Sequence, residues 1–292
     1  MPRPAAEIEI DESLVAALVR TQHPDLAGPV RLVTVGWDNA VLRLGDDLAV
    51  RLPRRRLGAE LVVNELAWLP RLATRLPLAV PSPVRAGEPG LGYPWPWSIV
   101  RWVPGETALV APRLDESSAV GALVGFLQAL HHPAPADAPR NPYRGVPLHD
   151  RAERTEQHVA RLFDGVEGAV VRAAWAEALA QPAWSGRPSW VHGDLHPGNL
   201  VVDTGALSGV IDFGDLTAGD PATDLAVAWM LFGPDARRAF LARVGADGAT
   251  WGRARGWALA HAVAVLAHGA DDPAMAAMAG RTLAAVLADR PS

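Results

Sequence analysis

"WVHGDLHPGNLVVDTGALSGVIDFGD" spans Trp190–Asp215 and decides how the rest of the chain is read. Two histidines, an asparagine and four aspartates lie in this stretch, interleaved with apolar strand-like runs. Asn199–Val202 and Ser208–Ile211 read as two short strands joined by a turn at Asp203-Thr204-Gly205. Such a hairpin returns Asp212 to the end where Asn199 sits. Asp194 lies in the loop before the first strand. The pattern puts a proton-accepting carboxylate and two hard oxygen donors at loop positions braced by buried strands.

The bulk composition is that of a globular protein. The chain has 292 residues, 49% hydrophobic and 20% charged, with a net charge of −5. That length suffices for one large domain or two smaller ones. No apolar run reaches the roughly 18 residues of a membrane span, and the opening "MPRPAAEIEIDESL" does not read as a signal peptide. There is no cysteine, which excludes disulfides and thiolate metal sites and makes the cytoplasm the expected location. All 27 basic residues are arginine, so any task usual for a lysine must fall to an arginine or be missing. No basic block suggests a nucleic-acid groove.

Outward from the central stretch, the first hundred residues alternate in the strand manner. A short helix is expected over 11–20. Three strands follow within Val30–Arg55, turning at Gly36-Trp37-Asp38-Asn39 and at Gly45-Asp46-Asp47. On the third strand Leu48, Val50 and Leu52 share one face, and Ala49 and Arg51 the other. Residues 57–75 have helical spacing, with Leu61, Leu66, Leu69 and Leu72 as the apolar positions and Pro70 as an end or a kink. A proline-rich loop around a short strand leads to a buried strand in "WSIVRWVPGE", where Trp95, Trp97 and Trp102 read as packing and hinge. Beyond it, helices are expected over 115–132, 149–163, 222–232, 235–244, 251–269 and 274–289. His131 and His132 read as helix C-terminal caps, Asp220 as an N-cap and Asp224 as a support for the loop around Asp194. The plan is α+β with two lobes, a small antiparallel-sheet lobe plus one helix (1–102) and a larger, mainly helical lobe (103–292) with the hairpin embedded in it.

The motifs now carry a resemblance. His192-x-Asp194 with Asn199 five residues on has the form H-x-D-x-x-x-x-N, and Asp212-Phe213-Gly214 is a literal D-F-G. With "GDPATDLA", "GWDNAVLRLGDDLAVRLPRR", "ELAWLPRLATRLPLAVPSP" and "WSIVRWVPGE", the chain resembles the aminoglycoside phosphotransferase family, which has macrolide and small-metabolite kinase relatives, over about residues 30–232. The resemblance implies the protein-kinase-like fold, with Mg2+ and ATP or GTP bound between the lobes. It implies Asp194 as catalytic base and Asn199 and Asp212 as magnesium ligands. Arg51 stands where the family has a phosphate-holding lysine, with Glu65 as its helix partner and Glu60 as the competitor. Backbone N–H groups near Asp38 and Asn39 would cap the phosphates, and main-chain groups around Arg101–Val103 would meet the base. Asp215 is a candidate for substrate or metal contact, and His196 for shaping the loop.

The acceptor is expected to be a small hydroxylated molecule. Residues 103–292 carry 15 arginines and 21 acids, a balance of −6, which could draw a cationic acceptor such as an aminoglycoside. A macrolide or a small metabolite fits the motifs as well. A second reading is a non-catalytic nucleotide-binding module on the same fold, for which the arginine at position 51 is the argument. A metallophosphoesterase reading of "GDLH" fails because Pro197 follows and no second metal motif appears.

Overall fold

The computed structural model describes residues 5–268 and 272–289. The first four residues of the acidic N-terminal stretch, and the last position of the helix expected over 251–269, lie outside the described residues. The chain divides into two compact units, one formed by the described residues up to Pro104 with Val210–Gly214, the other by Gly105–Gly209 and the chain from Asp215 onward.

The smaller unit begins with α1 (Glu12–Gln22), capped by the Asp11 side chain on the Leu14 N–H at 2.7 Å. Strands β1 (Val30–Val35), β2 (Asn39–Leu44) and β3 (Leu48–Pro53) precede α2 (Arg56–Ala73), and β4 (Pro83–Gly87) and β5 (Trp97–Arg101) follow it. All neighbours pair antiparallel in the order β1-β2-β3-β5-β4, which makes β3 the central strand. Val50 and Leu52 of β3 are fully buried with Val15, Leu18, Leu42, Trp97 and Ile99, and Leu48 packs at the edge of this core. Trp97 has zero exposure and donates its indole N–H to the Glu88 carbonyl at 3.0 Å. Trp95 packs on the same core, and Trp102 lies under the Arg43 guanidinium at 4.1 Å. Gly87 is required where it stands, because a Cβ there would sit 1.9 Å from the Trp97 ring.

Two expectations for α2 need correction. Pro70 does not end the helix, which runs on to Ala73. The buried stripe is Gly58, Ala59, Val62, Glu65, Leu69 and Leu72, while Leu61 and Leu66 are half-buried. The helix is rotated so that a carboxylate, Glu65, occupies the inner face that apolar periodicity alone assigns to leucines.

The larger unit opens with β6 (Glu106–Thr107) and α3 (Glu116–Leu130), the latter capped by Asp115 on the Ser117 N–H at 3.1 Å. Helices α4 (Ala152–Leu162) and α5 (Gly165–Leu179) come next; α5 was not among the expected helices. Then β7 (Ser189–Val191), β8 (Leu200–Asp203), β9 (Ala206–Val210) and β10 (Thr217–Gly219) build two small sheets, β6-β8-β9 and β7-β10. The hairpin read at 199–211 is present as β8 and β9, with its turn residue Thr204 in the left-handed region at φ 49°. The helix expected over 222–232 is two short pieces, α6 (Ala222–Leu225) and α7 (Val227–Leu231). They are followed by α8 (Pro234–Val244), α9 (Gly248–His268) and α10 (Pro273–Ala288). Helix α9 packs against α4, α5, α6 and α10, and it is buried on most of its circumference. No helix of the described residues is long and apolar enough to cross a membrane.

Candidate active site

In the smaller unit, Arg51 is held at the centre of the sheet, with Val41 and Ser98 as its strand partners and only 6% of its surface exposed. Its face of β3 is opposite the apolar core, toward α2. There one guanidinium nitrogen meets both carboxylate oxygens of Glu65, Oε2 at 2.6 Å, and the other meets Asp212 Oδ1 at 2.9 Å. Glu65, not the exposed Glu60, is therefore the partner. Burial lowers the proton affinity of Arg51, but the charges of Glu65 and Asp212 raise it more. Burial also pushes the Glu65 carboxyl up, by more than Arg51 pulls it down. A guanidinium keeps its proton in proteins, and its contacts to both carboxylate oxygens make Arg51 and Glu65 a buried ion pair.

Asp212 has an unusual backbone, shared in this unit with Leu91 among the non-glycine residues described. Its φ of 63° is left-handed, a conformation that a short polar side chain tolerates better than most. Its side chain is half exposed, and Arg51 takes only one of its oxygens. One arginine against two carboxylates leaves this cluster one negative charge in excess. That donor set suits a hard divalent cation.

Asp38 and Asn39 stand at the β1–β2 turn. The Asp38 carbonyl accepts the Arg54 N–H at 2.7 Å and its carboxylate pairs with Arg55. The Asn39 side chain is buried and its Oδ1 has no hydrogen-bond partner among the described residues. At the end of β5 the Arg101 N–H goes to Ser82 and the Trp102 N–H to Asp47. Of the amides expected to meet a base, that of Val103 is the one without a backbone acceptor among the described residues.

In the larger unit, Asp194 sits in a loop locked from behind. Asp224 has zero exposure and accepts the backbone N–H groups of His192 at 2.8 Å and Gly193 at 2.9 Å. His131 Nε2 lies 3.0 Å from the same carboxylate, so this histidine does more than cap α3. Gly193 has φ 88°, and a Cβ there would lie 2.5 Å from the Asp215 carbonyl, so the close approach of these two backbones requires glycine. Asn199 donates its amide to the Asp194 main-chain carbonyl at 2.8 Å. This orientation leaves its side-chain oxygen available to a cation. His196 accepts the Gly198 N–H at 3.0 Å and has Nε2 3.6 Å from Asp194 Oδ2. Asp220, expected as a cap, does accept the Ala222 N–H at 3.0 Å, and it also forms a buried ion pair with Arg253 at 2.7 Å.

Three residues here were not singled out from the sequence. Arg144 reaches Asp194 Oδ1 at 2.6 Å, as an ion pair rather than an aligned hydrogen bond, and its Nε lies 3.4 Å from Asp215 Oδ2. Asn141 donates to the other Asp215 oxygen at 2.6 Å, so Asp215 is engaged within the site. His261 of α9 faces the His196 ring at 5.4 Å, and its Nε2 is buried without a partner. Burial pushes the Asp194 carboxyl up, but the Arg144 charge and His196 outweigh it and hold it well below the usual carboxylate range. Asp194 is thus ionised throughout the neutral range.

The histidines of this unit make it acid-sensitive. Burial, with the charge of nearby His196, brings His261 down to about 3. Burial, with His268 and Arg154, Arg151 and Arg161 around it, brings His158 down to about 4. Both folded values lie below the unfolded value near 6.5. Between those limits the unfolded chain binds the extra protons, so stability is full above about pH 6.5 and is lost as pH falls toward 4. Each histidine steepens the loss by at most ~1.4 kcal/mol per pH unit. Urea midpoints at pH 7.5, 6.0 and 5.0 should decline in that order, and a flat series contradicts the burial of these rings.

The fold and this arrangement place the chain among kinase-like phosphotransferases. A profile of the phosphotransferase enzyme family (APH) matches residues 29–257, and the chain belongs to that family. It is 29% identical over 167 residues to the aminoglycoside 3'-phosphotransferase of Escherichia coli. That match spans 52% of this chain and 59% of the length of that enzyme. Its fold is that of the GDP and kanamycin complex of APH(2")-IIIa, with a TM-score of 0.72 at 21% identity over 94% of this chain and 98% of that one. It is also that of the macrolide 2'-phosphotransferase MphH from Brachybacterium faecium, with a TM-score of 0.63 at 22% identity over 96% and 100% of the two chains.

Proposed function

We propose that the chain is a magnesium-dependent phosphotransferase that moves the γ-phosphate of ATP or GTP to a hydroxyl of a small molecule in the cytoplasm. The observation that carries this reading is Asp194. It is an ionised carboxylate on a loop whose backbone is pinned by Asp224 and whose own carbonyl is tied to Asn199. In the reaction the acceptor oxygen bonds to the γ-phosphorus as the bond to the β,γ-bridging oxygen breaks. The nucleoside diphosphate leaves with that electron pair, and the hydroxyl proton passes to Asp194. Arg51, kept charged by Glu65, holds phosphate oxygens, and its planar fork suits two of them at once. Asn199 and Asp212 would hold magnesium, which supplies charge neutralisation at the phosphates. Val103 offers its N–H to the base, and the turn at Asp38 and Asn39 caps the phosphates.

The relatives' names set the acceptor classes to try, aminoglycosides and macrolides, beside small hydroxylated metabolites. A non-catalytic nucleotide-binding module is the second reading. It is favoured by the engagement of both functional carboxylates by arginines, Asp212 by Arg51 and Asp194 by Arg144. Nucleoside-diphosphate release with Mg-ATP and Mg-GTP across such a panel separates the two. The enzyme reading expects acceptor-dependent release that disappears in Asp194→Ala. Nucleotide binding with no release for any acceptor favours the module.

A further inference from the structure

Asp194 has one acidic neighbour, Asp215, and both carboxylates are paired with Arg144. The segment Pro139–Gly145 is stitched to β10. The Ala218 N–H donates to the Pro139 carbonyl at 3.1 Å, the Asn141 N–H to Thr217 Oγ1 at 2.9 Å, and the Asp220 N–H to the Gly145 carbonyl at 2.9 Å. The approach is so close that a Cβ on Gly219 would lie 2.1 Å from the Gly145 carbonyl oxygen. Arg144 is therefore carried on a fixed rail rather than a loose loop. It lines one side of a cavity of about 440 Å³, a size that accepts a small molecule. Arg140, Asn141 and Trp184 line the same cavity with several prolines and glycines, and its one acid is Asp220. That acid is 2% exposed and already neutralised by Arg253. Arg140 is exposed and pairs with no carboxylate among the described residues. A polycation entering here would meet the Arg140 guanidinium, while the nearby carboxylates are already paired, Asp220 with Arg253 and both Asp194 and Asp215 with Arg144.

We infer that this cavity receives the acceptor and that the acceptor carries an anionic group, a carboxylate or a phosphate ester, gripped by Arg140 together with Arg144. The inference rests on the phosphotransferase reading for calling the ligand an acceptor. Arginine's planar set of donors matches both groups. Arg144 touches Asp194 and lines the cavity, so an anion at the two arginines brings the rest of the ligand beside the proton-accepting carboxylate. Trp184 offers an aromatic wall for its body. The acceptor class is then a hydroxy acid, a sugar acid or a sugar phosphate rather than a polyamine.

Two measurements on the full chain test this separately from the phosphotransferase reading. The first uses inorganic phosphate as a probe, by calorimetry in the presence of saturating Mg-ADP so that the nucleotide site is filled. Phosphate should bind, and Arg140→Gln should weaken it at least fivefold; Arg140 is exposed and in no ion pair among the described residues, and Arg144→Gln provides the second variant. Absence of binding, or binding unchanged in both variants, overturns the anion site. The second measures diphosphate release for matched acceptors: gluconate and glucose 6-phosphate, glucose, and kanamycin. Carboxylate or phosphate acceptors should exceed glucose at least tenfold in kcat/KM, with the preference reduced in Arg140→Gln and the better of the two naming the group. Faster transfer to glucose or kanamycin overturns the substrate class and leaves the phosphotransferase standing. Arginine-dependent phosphate binding with no transfer to any acceptor counts against the enzyme reading and supports the anion site.

Discussion

Asp194→Asn is expected to lower kcat for phosphoryl transfer about a thousandfold, within the range by which a positioned general base accelerates a reaction. Nucleotide affinity should change little, because the ionic partners of this side chain, Arg144 and His196, belong to its own unit and not to the residues proposed to hold the phosphates. The substitution is close to isosteric, and the loop does not depend on the carboxylate. Asn199 bonds the Asp194 carbonyl, and Asp224 holds the two preceding N–H groups. What is lost is the ability to take the acceptor's proton, and the ion pair to Arg144, which keeps Asp215 as its remaining carboxylate. Single-turnover measurement of diphosphate formation, with thermal denaturation to confirm folding, decides the matter. A folded variant retaining more than a tenth of the wild-type rate removes Asp194 from the chemistry.

How much of this was legible in the sequence follows from where the interactions lie along the chain. The loop holding Asp194 and Asn199, the β8–β9 hairpin and the D-F-G at Asp212 fall within a single stretch, and turn chemistry with strand alternation suffices to read them. The antiparallel strands of the smaller unit were readable for the same reason. Glu65 was readable only as one of two acids. What chose it over Glu60 was the rotation of α2, which places a carboxylate rather than a leucine against β3. Arg144 was not legible. It is fifty residues from Asp194 in a proline-rich segment with no motif, and only the pairing of that segment with β10 brings it to the site. The excess of acids in the second half suggested a cationic acceptor. Net charge, however, is an average over a surface, and at and beside the cavity the acids are already paired, Asp220 with Arg253 and both Asp194 and Asp215 with Arg144, which leaves the exposed Arg140 as the charge on offer. His261 escaped for a related reason. On a helix buried nearly all round, periodicity does not distinguish a histidine near a reactive group from one in the core.

Arg51→Ala is expected to destabilise the chain by about 3–5 kcal/mol, the cost of leaving one member of a buried ion pair without its partner. Glu65 is 3% exposed and would keep its carboxylate in a site that burial already makes unfavourable. The same substitution should abolish measurable binding of Mg-ATP, but a destabilised protein cannot show whether the loss is local. Arg51→Met with Glu65→Leu resolves this, since replacing both charges by apolar groups of similar volume is often neutral or stabilising. The double variant should recover most of the unfolding free energy in urea and still fail to bind nucleotide. Arg51→Lys completes the series. A single ammonium cannot reproduce a fork that meets Glu65 and Asp212 through two different nitrogens, so it should retain charge while loosening its hold on one of them. Nucleotide affinity in that variant therefore reports whether the arginine is an adaptation or a relic. An affinity equal to or above wild type would mean that the phosphates need only a point charge at position 51. A drop of tenfold or more would mean that the surrounding carboxylates are arranged for a guanidinium. Normal Mg-ATP binding by the double variant would exclude Arg51 from phosphate recognition and leave the buried pair a purely structural device.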